Sequence, residues 1–265
     1  MKIAIIGGNR LIATTLLEKL REDGHEAAAA SPDSGVSTLT GEGLAETLRG
    51  AAVVVDLSTS LSFQDAEAET FFETFRTRNL LVAEAAAGVR HHVALSVVGN
   101  GRLSEGVYFR AKFAQEGLIK GFTIPFSIVH ATQCFELLES VADAATDGTT
   151  VRLPPVFIQP MAADDVASAV GRTAVGTPLN GIVELAGPER FRLDELVRRI
   201  LAARHDPREV VADPHARYLG AALGERALVP GDDVRLGKTR FEDWLATRPR
   251  HTKTWCPVSV STTGV

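Results

Sequence analysis

Sulfur and aromatic side chains are scarce in this chain, which has two cysteines, two methionines, two tryptophans and two tyrosines among 265 residues, with aromatics at 6%. Cys134 and Cys256 are too few for a disulfide scaffold. No apolar run is long enough to span a bilayer. Positive charge is not in excess either: the net charge of −5 and a pI near 5.8 argue against nucleic acid or an anionic membrane as partner. No His, Cys or acidic set has metal-ligand spacing, no serine sits in a Gly-x-Ser-x-Gly elbow, and no basic-aromatic stripe is present. Nothing ahead of the first strand reads as a signal peptide, so a cytoplasmic location is expected. With 45% apolar and 23% charged residues, the composition is that of a soluble globular chain able to bury a substantial core.

Short apolar runs alternate with helical stretches, a pattern that predicts an α/β fold with a parallel sheet covered on both faces. Strands are expected at Lys2–Ile6, His25–Ala30, Ala51–Leu57, His92–Val98 and Phe126–His130. Helices are expected over Leu11–Leu20 and over Gln64–Ala87, where Phe71, Phe72, Phe75, Leu80 and Val82 are among the apolar positions and Gly88 supplies the C-terminal cap. Beyond residue 135 the elements shorten and Pro and Gly punctuate them. Val151–Leu153 and Gly181–Leu185 read as strands, and Ala163–Val170 and Leu193–Ala203 as helices, the first capped by Asp164 or Asp165. The domain reading is a doubly wound core over 1–135, a smaller substrate-side region over 136–246 and a loose tail over 247–265.

Glycine is missing where the chemistry would want it. After the first strand, Gly7-Gly8-Asn9-Arg10-Leu11-Ile12-Ala13 stands where a strand-to-helix turn cradles a dinucleotide pyrophosphate against free amide N–H groups and a helix dipole. Glycines let a phosphate approach the backbone, yet Arg10 and Ala13 occupy two positions where glycine is expected. Ala13 adds only a methyl, which the dinucleotide fingerprint tolerates. Arg10 would crowd the pyrophosphate with its Cβ or bind it through the guanidinium.

A second signal is Tyr108-Phe-Arg-Ala-Lys112, with Tyr and Lys on one helix face. A nearby ammonium favours a phenolate and makes a tyrosine a better proton donor near neutrality. Ser96, at the carboxyl end of the fourth strand, stands where open parallel sheets bind ligands and where a hydroxyl can hold a substrate oxygen. His130, with Gln133 and Cys134 beyond it, lies where the pocket floor is expected, and these three are candidate substrate contacts. Cys134 has no basic partner in the sequence and also reads as buried packing, and His91-His92 reads as packing at a strand entry.

These residues, together with Gly88-Val-Arg-His-His-Val-Ala-Leu-Ser-Val-Val-Gly99, His130-Ala-Thr-Gln133, Gln159-Pro-Met-Ala-Ala-Asp-Asp-Val166 and Ala186-Gly-Pro-Glu189, resemble the atypical, NmrA-like branch of the short-chain dehydrogenase/reductase superfamily over residues 1 to 245. The resemblance implies a Rossmann-like sheet and NAD(P) held by the turn Gly7, Gly8, Asn9, Arg10, Leu11 and Ile12, with Asp56, Leu57, Ser58 and Val97 flanking adenosine and nicotinamide. It also implies a Lys112 contact to the nicotinamide ribose, with Tyr108 and Ser96 handling the substrate oxygen. At the end of the second strand the branch often carries a basic residue for the 2′-phosphate of NADP. Here Ser31-Pro-Asp33 stands instead, and Asp33 would repel that phosphate, so NAD(H) is expected over NADP(H).

Three functions are compatible with this reading. One is NAD(P)H-dependent reduction of a small or medium carbonyl, enone or quinone-like substrate. Another is a cofactor-independent isomerase, dehydratase or cyclase using the same Tyr and Ser, and the last is an NmrA-like dinucleotide-sensing regulator. The Tyr–Lys pair disfavours the sensor, and the altered glycine turn counts against an ordinary reductase. The sequence sets no oligomeric state.

Overall fold

The computed structural model describes residues 1–7, 10–58, 66–103 and 105–247, with only the backbone of 10 and 66–69. The strands are β1 (Lys2–Ile6), β2 (Glu26–Ala30), β3 (Val53–Asp56), β4 (His91–Val97), β5 (Phe126–Ala131), β6 (Thr146–Asp147), β7 (Thr150–Leu153), β8 (Phe157–Ile158), β9 (Gly181–Ala186), β10 (Phe191–Arg192), β11 (Glu209–Ala212) and β12 (Val234–Leu236). The helices are α1 (Arg10–Glu22), α2 (Leu44–Leu48), α3 (Ala66–Ala87), α4 (Val107–Gly121), α5 (Leu138–Ala144), α6 (Ala163–Val175), α7 (Leu193–Ala203) and α8 (Phe241–Thr247). Seven strands form one parallel sheet in the order β12-β9-β5-β4-β3-β1-β2. The interior strands β1 and β3 are near-continuous apolar runs because both of their faces are covered. On one face α1 and α6 pack through Ile12, Ala13, Leu16, Val166 and Val170 onto Ile3, Val55 and Val129; on the other, α2, α3 and α4 cover Ala4, Val54, Ala94 and Ile128. Among the described residues no helix is long and apolar enough to cross a membrane.

The strand order reverses at β1: β2 lies to one side of it and β3 to the other. Such a reversal opens a crevice outside the carboxyl ends of the two central strands, here Gly7 after β1 and Leu57-Ser58 after β3. The carboxyl-terminal part adds β9 and β12 to the sheet and a second cluster around Phe135, Leu196, Phe241 and Trp244. That cluster also takes in Val97, Leu103 and Phe109 from the amino-terminal half.

One expectation is corrected by long-range contacts. Neither Asp164 nor Asp165 caps α6: Asp164 pairs with Lys19 (3.0 Å), and Asp165 accepts the amides of Lys238 and Thr239. The start of α6 is served from outside by Glu136, whose Oε2 accepts the Ala163 N–H (3.1 Å) while its Oε1 accepts the indole N–H of Trp244. In α3 the aromatic positions Phe71, Phe72 and Phe75, and Val82, face outward. The buried face carries Leu80 and Leu81 alongside the polar Glu73, Thr77 and Glu84. Glu84 is placed there because both its oxygens meet Nδ1 of the equally buried His92 (2.9 and 3.0 Å). His91 bonds Ser127 Oγ, and its pKa is pushed down to about 4 by burial and by neighbouring His92. Among the described residues no His, Cys, Asp and Glu group could hold a metal ion.

Candidate functional site

Gly7 carries the chain out of β1 at φ +65°, in the left-handed region where a Cβ is strained. A Cβ there would also stand 3.1 Å from Ser58 Cα, so the turn leaves β1 pressed against the end of β3. The next residues, Gly8 and Asn9 and the side chain of Arg10, lie outside what the structure describes. Arg10 is the first residue of α1, whose first turn carries no acidic side chain, so nothing there offsets the positive end of the helix. Leu11 is exposed on that turn, while Ile12 and Ala13 are buried in the core; the Ala13 methyl is accommodated by packing. Ser31 starts a short 3-10 turn, its amide donating to Ser34 Oγ and its carbonyl accepting from the Ser34 hydroxyl, and Asp33 is exposed at the end of β2.

Ser58 joins this turn to α4. Its carbonyl accepts a hydrogen bond from Lys112 Nζ (2.6 Å), which also donates to Leu95 O (3.1 Å) and Gln115 Oε1 (3.0 Å). An ammonium has three protons, and all three are used. Gln115 in turn donates from Nε2 to Asp56 Oδ2 (2.9 Å), and Asp56 Oδ1 accepts both the amide and the hydroxyl of Ser58 (2.8 and 2.5 Å). Asp56 and Lys112 are thus two buried, opposite charges linked through one glutamine, while Leu57 between them and the turn packs into the core. The glycine turn and Lys112 therefore border the same crevice.

Tyr108, one helical turn before Lys112, is half-buried with its ring 5.5 Å from that of Phe109. The other tyrosine of the chain, Tyr218, is buried close to it; burial and the neighbouring Tyr108 both push the Tyr218 phenol up. Ser96 faces the same helix. Its hydroxyl donates to Glu116 Oε1 (2.7 Å), the residue one turn beyond Lys112. Glu116 also accepts from His130 Nε2 (2.6 Å), from Asn100 Nδ2 and, through Oε2, from Lys120 (3.0 Å). Burial pushes the Glu116 carboxyl up, but the hydrogen bonds from His130, Ser96 and Lys120 and the interaction with the His130 ring outweigh it and hold the pKa at about 2. Because a carboxylate only accepts, His130 must present Nε2–H to Glu116, leaving Nδ1 toward Glu184 at 4.0 Å. The register of β4, β5 and β9 sets Ser96, His130 and Glu184 side by side.

Beyond His130, Gln133 is buried and the Cys134 thiol packs with Met161 and Leu57 in the core, where burial pushes its pKa up. Residues not singled out from the sequence are Gln115, Glu116, Asn100, Glu184 and Tyr218. Glu116 carried a signal: Tyr108, Lys112, Glu116 and Lys120 repeat at four-residue spacing on one helix face.

No protein-family model and no curated protein sequence matches the chain. Solved structures do match in shape. MoeE5 in complex with UDP-glucose and NAD superposes with a TM-score of 0.70 at 16% identity, covering 93% of this chain and 97% of that one. A short-chain dehydrogenase/reductase superfamily protein from Agrobacterium tumefaciens with bound NAD gives 0.68 at 15%, covering 93% and 95%. The NADPH-dependent quinone oxidoreductase QOR2 of Escherichia coli, complexed with NADPH, gives 0.60 at 17%, covering 80% and 77%. The parallel sheet, its reversal at β1 and these likenesses together identify the fold as the Rossmann-like fold of short-chain dehydrogenase/reductase superfamily proteins.

Proposed function

We propose that the chain is an oxidoreductase that uses a nicotinamide dinucleotide, NAD(H) in preference to NADP(H), to reduce a small or medium carbonyl, enone or quinone-like substrate. The observation that carries this reading is the meeting of the Gly7 turn and Lys112 at Ser58, in the crevice where the strand order reverses. The residues fit a pyrophosphate at α1: Gly7 keeps the turn tight, the helix end is free of acidic side chains, and Arg10 brings a cation to its first position. The neighbours whose names state bound NAD or NADPH share the fold. Asp33 at the end of β2 disfavours a 2′-phosphate.

A bound dinucleotide would supply the hydride. Tyr108 would hand its phenolic proton to the substrate oxygen as that oxygen gains charge. Lys112, pinned by three acceptors, holds a fixed positive charge one turn along the same helix face, which favours the phenolate left behind. Turnover of carbonyl, enone and quinone panels with NADH and NADPH, followed by nicotinamide absorbance, tests this. Tyr108→Phe should lower the rate on the order of 10²-fold with an unchanged circular dichroism spectrum; an unchanged rate removes Tyr108 from the mechanism.

One observation favours a second reading, acid–base catalysis such as isomerisation, dehydration or cyclisation without a cofactor. Every proton of Lys112 is already taken by the protein, so a ribose diol would have to displace a carbonyl or Gln115 to reach it. Turnover that persists after removal of all dinucleotide would select this reading over the first.

A further inference from the structure

Three glutamines are buried among the described residues: Gln115, Gln133 and Gln159. Two of them spend their amides on the protein, Gln115 between Lys112 and Asp56, and Gln159 on the Gly187 carbonyl (2.8 Å). Gln133 does not. It is 7% exposed, and neither its Oε1 nor its Nε2 has a hydrogen-bond partner. Enclosing a primary amide with both its donor and its acceptor sides unmet is among the costlier things a fold can do, and native interiors pair nearly all such groups.

The position of this amide gives it a use. Gln133 follows β5 at the carboxyl edge of the sheet, three strand spacings from β1, roughly 14 Å from the Gly7 turn at about 4.8 Å per strand. Its backbone is tied on both sides: Val98 N bonds Ala131 O, Thr132 N bonds Leu185 O, and Met161 N bonds the Gln133 carbonyl (3.0 Å). The flanking side chains are already committed, Thr132 to the Gln159 carbonyl and Cys134 to the core. The Gln133 amide is the polar group on this segment left for a bound molecule.

We infer that Gln133 recognises a carboxamide, or a lactam of the same donor–acceptor edge, by a two-point amide–amide hydrogen bond. A carboxamide presents an acceptor and a donor side by side, the complement of the two orphaned atoms; a ketone or ester satisfies one and leaves the other unpaired. Two sources carry this group, the nicotinamide ring of a dinucleotide and a carboxamide-bearing substrate. The first source rests on the dinucleotide reading above, and the second does not.

The test uses the whole chain, wild type and Gln133→Met, the latter of similar volume and without polar atoms. Melting of the free proteins is measured first. A structural glutamine would cost several degrees when replaced, whereas an unpartnered one should leave the melting temperature equal or higher. NADH, NADPH, the 3-acetylpyridine analogue of NADH, nicotinamide and benzamide are then titrated while the Gln133 side-chain NH2 signals are followed by 1H–15N NMR, assigned by their absence in Gln133→Met. If the cofactor is the source, wild type prefers NADH over its acetylpyridine analogue by about tenfold, the loss of one hydrogen bond with the Gln133 oxygen left unpaired, and Gln133→Met erases the preference. If no dinucleotide binds but nicotinamide or benzamide shifts the NH2 signals, the dinucleotide reading falls and the carboxamide site stands. A melting temperature lowered by several degrees in Gln133→Met, equal binding by both proteins, or no shift of the Gln133 signals with any of these probes overturns the inference.

Discussion

Replacing Glu116 by Gln tests the buried charge cluster behind the proposed site, because the cluster sets both the position of His130 and the acid stability of the sheet. Against burial, which raises it, the Glu116 carboxyl is held at about 2, below an ordinary 4.5, by hydrogen bonds from His130 on β5, Ser96 on β4 and Lys120 on α4 itself; Asn100 before α4 also bonds it, and Glu184 of β9 lies on the far side of His130. A carboxyl lowered in the folded state stabilises it above the pKa of the unfolded chain and loses that contribution as pH falls toward the folded value. For Glu116 this amounts to about 3 kcal/mol at neutral pH, fading between about pH 4.5 and pH 2. Glutamine keeps one acceptor but turns an NH2 toward Lys120 or His130. Urea unfolding of wild type and Glu116→Gln, followed by tryptophan fluorescence at half-unit steps from pH 7 to pH 3, should show a gap of about 3 kcal/mol at pH 7 that narrows steadily below pH 4.5. A variant as stable as wild type at pH 7, or a gap that stays constant down to pH 3, would refute the reasoning.

Three further outcomes follow from the packing. A Cβ on Gly187 would fall within the contact radius of the Pro160 carbonyl oxygen, and Gln159 bonds Gly187 on both sides of that contact, so Gly187→Ala should cost about 3 kcal/mol or more, read as a fall in urea midpoint. Glu136→Ala removes the acceptor at the start of α6 and the partner of the Trp244 indole, and should lower stability by at least about 1 kcal/mol while shifting tryptophan emission; unchanged emission would deny the Trp244 contact. Cys134, buried with its thiol pushed up by burial, should resist iodoacetamide in the native protein and react after denaturation, as read by peptide mass spectrometry.

The central strands were legible because a strand buried on both faces is a continuous apolar run, as Ile3–Ile6 and Val53–Val55 are, and their alternation with helices carries the parallel topology with it. The two- and three-residue strands β6, β8, β10 and β12 left no such trace: each is too short to show a period, and β8, β10 and β12 pair with partners distant in sequence. The Asp164-Asp165 pair looked like a cap because local rules favour it, but a glutamate 27 residues earlier reaches the same amide. In the site, Lys112 and the Gly7 turn could be placed from spacing and strand position. Ser96 was read toward the substrate from its strand position alone; the structure sets its hydroxyl on Glu116, one turn beyond Lys112 on the same face of α4. Glu116 was not singled out, and only the packing of α4 against β4 and β5 reveals it as buried.

Calorimetric titration of NADH into the wild-type chain and into Gly7→Val measures the shared crevice most directly. Valine at φ +65° spoils the turn and presses on Ser58, whose carbonyl Lys112 bonds, so it acts on the crevice where the two meet. Saturable binding by wild type, weakened at least tenfold in Gly7→Val and weaker still for NADPH than for NADH, is the predicted result. Absence of binding by wild type at millimolar NADH, or equal affinity in both proteins, would contradict it.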